Sequence, residues 1–249
     1  MVSDTSFSVL AVDAGNTRIK WGVHDGRSWS ALGAIATAES ASLYEALRAS
    51  LPVDRAIASN VAGPEVRSNI AAASRRANVE MAFIRSERAQ LGVENGYRDP
   101  GQLGTDRWAA LIGAHHAGER GHKLVVNAGT ALTIDTLTAD GRFLGGLIVP
   151  GPALMRRSLD RGTAGLRLTE GVLREFPEST PDAITSGAIQ AAVGAVERLA
   201  GLMAARGCPP GRIILSGGAA AEIAKSLPIT TTHHENLVLD GLLLIARNS

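Results

Sequence analysis

The 249-residue chain balances 25 Lys and Arg against 24 Asp and Glu for a formal net charge of +1. It contains no Lys/Arg run, so neither global nor local charge argues for nucleic acid or an anionic membrane surface. Only 4% of residues are aromatic although 45% are hydrophobic, which leaves Ala, Val, Leu and Ile to fill the core. The single cysteine, Cys208, excludes an internal disulfide and multi-cysteine zinc patterns and fits a reducing compartment. Asp4 stands where a secretory signal needs bases, and no uncharged apolar run reaches the ~18 residues of a membrane span. The expectation is a soluble cytoplasmic protein with no membrane and no nucleic-acid partner.

In chain order, Val9 to Val12 reads as an apolar strand ending at Asp13. A turn of Ala14, Gly15, Asn16 and Thr17 returns the chain along a second strand to Asp25-Gly26, a hairpin whose Gly and Asn suit positive φ. Such a turn aligns backbone N–H groups for a phosphate, and Asp13 beside it suits Mg²⁺ rather than the phosphate itself. An ordinary hairpin is the alternative reading. A third strand follows over Ser28 to Ala38, then a helix over Glu39 to Leu51, a strand over Arg55 to Val61, a helix opened by Pro64 and a strand over Val79 to Ile84. This order indicates an α/β layer on a mixed sheet. Gly92 to Gly104 lacks periodicity and is rich in Gly, Asn, Asp and Pro, so it reads as a loop, of a length that is usually functional. It leads into a helix capped by Thr105 or its neighbour.

The pattern then repeats. Lys123 to Val126 is a strand, Asn127-Ala128-Gly129-Thr130 a tight turn, Ala131 to Thr138 a strand, and Phe143 to Val149 a further return. VVNAGTALTID echoes AVDAGNTRIKW in register. A long helix over Pro181 to Arg206, a strand over Arg212 to Leu215 ending in Ser216-Gly217-Gly218-Ala219, and a C-terminal helix in LVLDGLLLIARN complete a second α/β unit. Repetition at this scale implies a duplicated domain with a cleft between the halves, divided near Gly121 into 1–120 and 121–249. His115-His116 and His233-His234 are adjacent pairs, which diverge on a helix and chelate poorly, so they read as surface or packing residues. Cys208, beside Pro209-Pro210, reads as a turn residue without a base to activate it.

Two hairpin phosphate turns and a Gly-Gly-x-Ala strand end resemble the superfamily of acetate and sugar kinases, heat-shock ATPases and actin. The motifs DAGNTRIKWG (Asp13 to Gly22), NGYRDPGQLGTDRW (Asn95 to Trp108), NAGTALTID (Asn127 to Asp135), GGLIVPG (Gly145 to Gly151) and TPDAITSG (Thr180 to Gly187) together resemble type III pantothenate kinase. The resemblance implies two actin-like (ribonuclease H-like) domains, a homodimer, and transfer of the ATP γ-phosphoryl group to pantothenate, the first step of coenzyme A synthesis. It makes Asp106 the general base, and Tyr97, Gly104, Thr105, Asp106, Arg107 and Thr180 the pantothenate contacts. ATP with Mg²⁺ would engage Asp13, Ala14, Gly15, Asn16, Thr17, Arg18, Ile19, Lys20, Gly129, Thr130, Gly217 and Gly218. Each has a plainer reading: Asp106 as a helix-dipole carboxylate, Arg107 as a solvated arginine, Tyr97 as a packed loop tyrosine, Thr180 as a helix cap, Lys20 as a strand lysine facing water.

Asn127 departs from the family, which usually has Asp there, associated with a monovalent cation (K⁺ or NH₄⁺). An amide lacks the charge to hold it, so that requirement is expected to be weakened. The alternatives to a pantothenate kinase are a kinase of another small hydroxyl compound, against which the Tyr97 and Gly104 to Trp108 block argues, and a non-catalytic accessory or regulatory protein on this scaffold.

Overall fold

A computed structural model describes residues 7–118, 120–162 and 170–249. The chain forms two compact units, Met1–Ala117 with Asn236–Ser249, and Gly118–Glu235.

The first unit opens with β1 (Val9–Ala14), β2 (Arg18–His24) and β3 (Trp29–Ala36), then α1 (Leu43–Leu47), β4 (Arg55–Asn60), α2 (Pro64–Arg76) and β5 (Met81–Phe83). Its sheet runs β3-β2-β1-β4-β5, with the first three strands antiparallel and β4 and β5 parallel to β1. Leu10, Val12 and Ala14 pack against Leu43 and Leu47 of α1 and Val66 and Ile70 of α2. Alternation along the strand turns Val9, Ala11 and Asp13 to the opposite face. Asp13 is in register with Lys20 on β2 and Ser59 on β4, so these three side chains share that face. Only Leu43–Leu47 of the helix expected over Glu39 to Leu51 is α-helical, flanked by 3₁₀ turns at Thr37–Ser42 and Arg48–Ser50. Glu39 is non-helical (φ −99°, ψ 16°), and Ser42 Oγ bonds the Glu39 carbonyl at 2.8 Å, a serine competing with the helix for a backbone acceptor.

A short hairpin, β6 (Ala89–Gln90) and β7 (Val93–Asn95), runs into the expected loop over 92–104. It turns through Leu91 (φ 50°) and Gly92 (φ 78°), the two-residue geometry that matches strand twist. Helix α3 (Thr105–His116) follows.

The second unit comprises β8 (Lys123–Ala128), β9 (Ala131–Leu137), β10 (Arg142–Phe143), β11 (Gly146–Pro150), α4 (Pro152–Gly162), α5 (Thr180–Ala205), β12 (Arg212–Ser216), α6 (Ala220–Ala224) and β13 (Thr231–His233). Its sheet order β11-β9-β8-β12-β13 repeats that of the first unit, with the same pattern of two antiparallel pairs followed by two parallel ones. Leu124, Val126, Leu132 and Ile134 pack against Ile189, Ala192, Val193 and Val196 of α5. At 26 residues α5 is long and apolar enough to span a bilayer by length and composition. It is nonetheless a core helix: its buried positions recur at helical spacing against the sheet, and Glu197 and Arg198 interrupt the run.

The last helix, α7 (Leu237–Arg247), belongs to the first unit, whereas the sequence reading grouped 121–249 together. It packs tightly on α3, because a Cβ on Gly113 would lie 2.6 Å from the Leu237 carbonyl oxygen and one on Gly241 would collide with the Ala109 carbonyl. Trp29 Nε1 donates to Asp240 Oδ1 at 2.8 Å, and Arg55 Nη1 donates to the Ala246 carbonyl at 2.7 Å. An all-round apolar helix signals burial, not which neighbour buries it.

Candidate active site

The first hairpin turn closes with Gly15 N donating to the Arg18 carbonyl at 3.1 Å. Thr37, just beyond β3, supports it: its Oγ1 donates to the Gly15 carbonyl at 2.7 Å and its N to the Thr17 carbonyl at 3.0 Å. Asn16, Thr17 and Arg18 are exposed, while Ala14 and Ile19 are in the core. Ala14 and Ile19 thus hold the turn from below, and their side chains do not reach a ligand. The positive φ expected here is absent from Gly15, Asn16 and Thr17, because the turn is wider than a two-residue hairpin. A Cβ on Gly15 would meet only the Arg18 carbonyl at an ordinary 3.4 Å, so nothing in the protein itself demands glycine there.

Asp13 is half-buried, and its Oδ1 is buried without a hydrogen-bond partner among the described residues. Burial, reinforced by the negative charge of Asp106, raises its carboxyl to about 7, with the Lys20 ammonium opposing the shift. An orphaned carboxylate oxygen of this kind fits a divalent cation, which would satisfy the lone pairs and the charge together.

Helix α3 starts on the same face of the sheet. Its N-cap is Gly104, the neighbour of Thr105, with no side-chain cap bond. Thr105 is the first helical residue, and its Oγ1 pairs with Ser59 Oγ at 2.8 Å. Ser59 is fully buried and neighbours Asp13 across the sheet. Sequence reasoning passed over it because a serine inside a strand carries no signal of its tertiary partner. Asp106 follows, its carboxyl raised chiefly by burial and held back by the Arg107 N–H, which donates to Oδ1 at 2.9 Å, and by the Arg107 charge. Gly104 makes room for this carboxylate, since a Cβ there would lie 2.6 Å from Asp106 Oδ1.

Arg107 is only 5% exposed, unlike the solvated arginine of the plain reading. Its Nη1 donates to Tyr97 Oη at 3.3 Å, and its guanidinium carbon stands 5.8 Å from the centre of the tyrosine ring. Tyr97, Gly104, Thr105, Asp106 and Arg107 therefore lie together in the first unit, alongside Asp13 and Lys20.

In the second unit, Gly129 and Thr130 form an exposed turn closed by Gly129 N donating to the Ala131 carbonyl at 3.1 Å. Asn127 shares a sheet face with Thr133 and Ser216, its register partners. Gly217 adopts φ +92°, and a Cβ there would lie 2.6 Å from the Ala128 carbonyl oxygen and 2.8 Å from Asn127 Oδ1. Gly218 faces open space. The Gly-Gly pair thus combines one glycine the fold requires with one it does not. Gly151, quoted in a motif but assigned no role, packs directly on this turn: its N donates to the Thr130 carbonyl at 2.9 Å and a Cβ would collide with the Gly129 carbonyl. Thr180 is exposed on the rim of an apolar pocket with Pro177, Ala183 and Ile184. The cap of α5 is Ser179, whose Oγ accepts from Asp182 N at 3.3 Å, so Thr180 is not the capping residue. Of the paired histidines, His116 is exposed and its Nε2 bonds the Leu91 carbonyl at 2.9 Å at the turn of the β6–β7 hairpin. Cys208 Sγ donates to the Met203 carbonyl at 3.3 Å. Among the described residues no group of three or more His, Cys, Asp or Glu could hold a metal on its own.

Solved structures with this fold include the ROK family glucokinase from Streptomyces griseus in complex with glucose and AMPPNP (TM-score 0.53, 15% identity, 97% of this chain and all of that one). Another is the ethanolamine utilization protein EutJ from Carboxydothermus hydrogenoformans (TM-score 0.55, 10% identity, 95% and 89% covered). At such identities the likeness shows the fold alone, which is the two-domain actin-like one. The sequence comparisons reach further. The chain is 46% identical over 239 residues to a type III pantothenate kinase of Aromatoleum aromaticum, covering 96% of this chain and 98% of that protein. It is 43% identical over 241 residues to that of Nitrosospira multiformis, covering 97% and 92%. The family model for type III pantothenate kinase matches residues 9–201, and the chain belongs to that family.

Proposed function

We propose that this chain transfers the γ-phosphoryl group of ATP to the terminal hydroxyl of pantothenate, the first step toward coenzyme A. The observation that carries the reading is the half-buried Asp106 carboxylate, raised by desolvation at the start of α3, next to the buried Arg107 and its half-buried partner Tyr97. Phosphoryl transfer asks a protein to position its substrates, neutralise charge and orient one nucleophile. Asp106 is the acceptor's base: a carboxylate with elevated affinity for a proton takes the hydroxyl proton as the oxygen attacks. Arg107 presents a desolvated fork of donors to the pantothenate carboxylate or amide oxygens, and Tyr97 adds its hydroxyl. Thr105 and Gly104 present α3's first turn to the substrate, and family membership supports Thr180 as a further substrate contact.

For the nucleotide, the backbone of Gly15, Asn16 and Thr17, with Arg18 and Lys20, receives phosphates. Gly129 and Thr130 do so in the second unit, and Gly217 and Gly218 approach the adenosine. Asp13 holds Mg²⁺, directly or through water, and the ion supplies neutralisation of phosphate charge. Asn127 leaves the monovalent-cation position without its carboxylate, so K⁺ and NH₄⁺ are dispensable. Family membership supports a homodimer, and the cysteine usage supports a cytoplasmic location. The test is to incubate purified protein with Mg²⁺-ATP and pantothenate and identify the product by mass spectrometry. A 4′-phosphopantothenate product is expected, whereas phosphorylation of other small alcohols in preference to pantothenate would overturn the reading.

A further inference from the structure

Arg88 lies outside every motif above and is exposed, yet its guanidinium is committed to the backbone of one short segment. Its Nη1 donates to the carbonyls of Asn95 at 2.9 Å and Tyr97 at 2.8 Å, and its Nη2 donates to the Arg98 carbonyl at 2.9 Å. The Arg88 carbonyl in turn accepts from Asn95 N at 2.9 Å. On the inner side the fully buried Asn95 completes the arrangement, with Oδ1 accepting from Tyr97 N at 3.1 Å and Nδ2 donating to the Pro100 carbonyl at 3.3 Å. Tyr97 is therefore gripped at both its N–H and its carbonyl, and the side chain so fixed delivers its hydroxyl to Arg107.

We propose that Arg88 is a positioning residue for the acceptor substrate, holding segment 95–98 so that Tyr97 and Arg107 are presented together before pantothenate arrives. The argument is chemical. Asn95 ends β7 and Tyr97 and Arg98 lie beyond it, so loss of the three bonds from Arg88 opens this stretch to alternative conformations. Three charge-assisted bonds from one planar fork remove that freedom, and a lysine ammonium does not reproduce the fork. Because the side chain is exposed, its loss opens no cavity in the core, and the consequence falls on substrate capture rather than folding. The inference rests on the assignment of Tyr97 and Arg107 to pantothenate.

The experiment compares Arg88→Ala, Arg88→Lys, Tyr97→Phe and the double variant Arg88→Ala/Tyr97→Phe with the parent, measuring KM for each substrate, kcat and Tm. Arg88→Ala is expected to raise KM for pantothenate about 5- to 30-fold, with kcat and KM for ATP within about twofold. Arg88→Lys should recover part of the loss, and the double variant should be no worse than the poorer single one, because both act through one contact. An unchanged KM for pantothenate, parallel rises in both KM values, or additive losses in the double variant would overturn the proposal. Absence of pantothenate turnover in the parent protein would instead overturn the functional reading beneath it.

Discussion

Gly104 and Asp106 compete for one volume: the position a Cβ would take on residue 104 lies 2.6 Å from the Asp106 Oδ1 that occupies it. The backbone at Gly104 (φ −55°, ψ 137°) is open to any residue, so the glycine is there for space, not for conformation. Gly104→Ala should therefore fold normally but swing the Asp106 carboxylate aside, lowering kcat by about 10- to 100-fold. In an Asp106→Asn background, where there is no base left to displace, the same change should cost little. Steady-state kinetics of the four proteins check this, and a full additional loss in the double variant would contradict it.

Asp13 is expected to weaken the ligand-free protein at neutral pH. Its carboxyl is raised from 3.8 to about 7 by burial and by Asp106, so between those values the folded state holds a proton that the unfolded state has released. Stability then falls as pH rises through that window, by roughly 2–4 kcal/mol from this group. Asp13→Asn should remove that slope and raise Tm at pH 7 while abolishing Mg²⁺-dependent turnover. Thermal melts at pH 5 and pH 7 with and without the substitution decide the matter; an unchanged slope in Asp13→Asn would refute the assignment.

The glycines of the two turns should separate into two kinds. Gly217→Ala places a side chain at φ +92° against the Ala128 carbonyl and should cost about 1–3 kcal/mol of stability. Gly15→Ala meets nothing closer than 3.4 Å, so it should leave Tm nearly unchanged and raise KM for ATP, because the lost space is the ligand's. A destabilised Gly15→Ala with normal ATP affinity would show that the turn's glycine serves the fold.

Asn127 carries the prediction for monovalent cations. With an amide in place of a carboxylate, turnover should change by less than about twofold when K⁺ replaces a non-binding cation, and Asn127→Asp should introduce a K⁺ response. A many-fold activation of the unmodified protein by K⁺ or NH₄⁺ would contradict this.

Much of the fold was legible because it is written twice. Strand, Asx-Ala-Gly turn and strand recur at Asp13 and Asn127, and the two five-stranded sheets carry the same order. The β6–β7 hairpin was not legible: its strands are two and three residues long and its turn is Leu91-Gly92 rather than Asn-Gly. Helix α4 was not anticipated, although Pro152 stands at its first position, where a helix start tolerates proline. Site residues within motifs could be named. What holds them could not: the Ser59–Thr105 bond spans 46 positions, and nothing in the residues around Arg88 announces that its guanidinium serves three backbone carbonyls.

The account rests most heavily on Asp106 as the base that activates the pantothenate hydroxyl. The most direct measurement is pantothenate-dependent ADP release by the parent protein and by Asp106→Asn, alongside equilibrium binding of pantothenate to each. The account predicts robust release by the parent, a loss of about 10²- to 10⁴-fold in kcat for the variant, and pantothenate affinity that survives the substitution. Release by Asp106→Asn at the parental rate would contradict it.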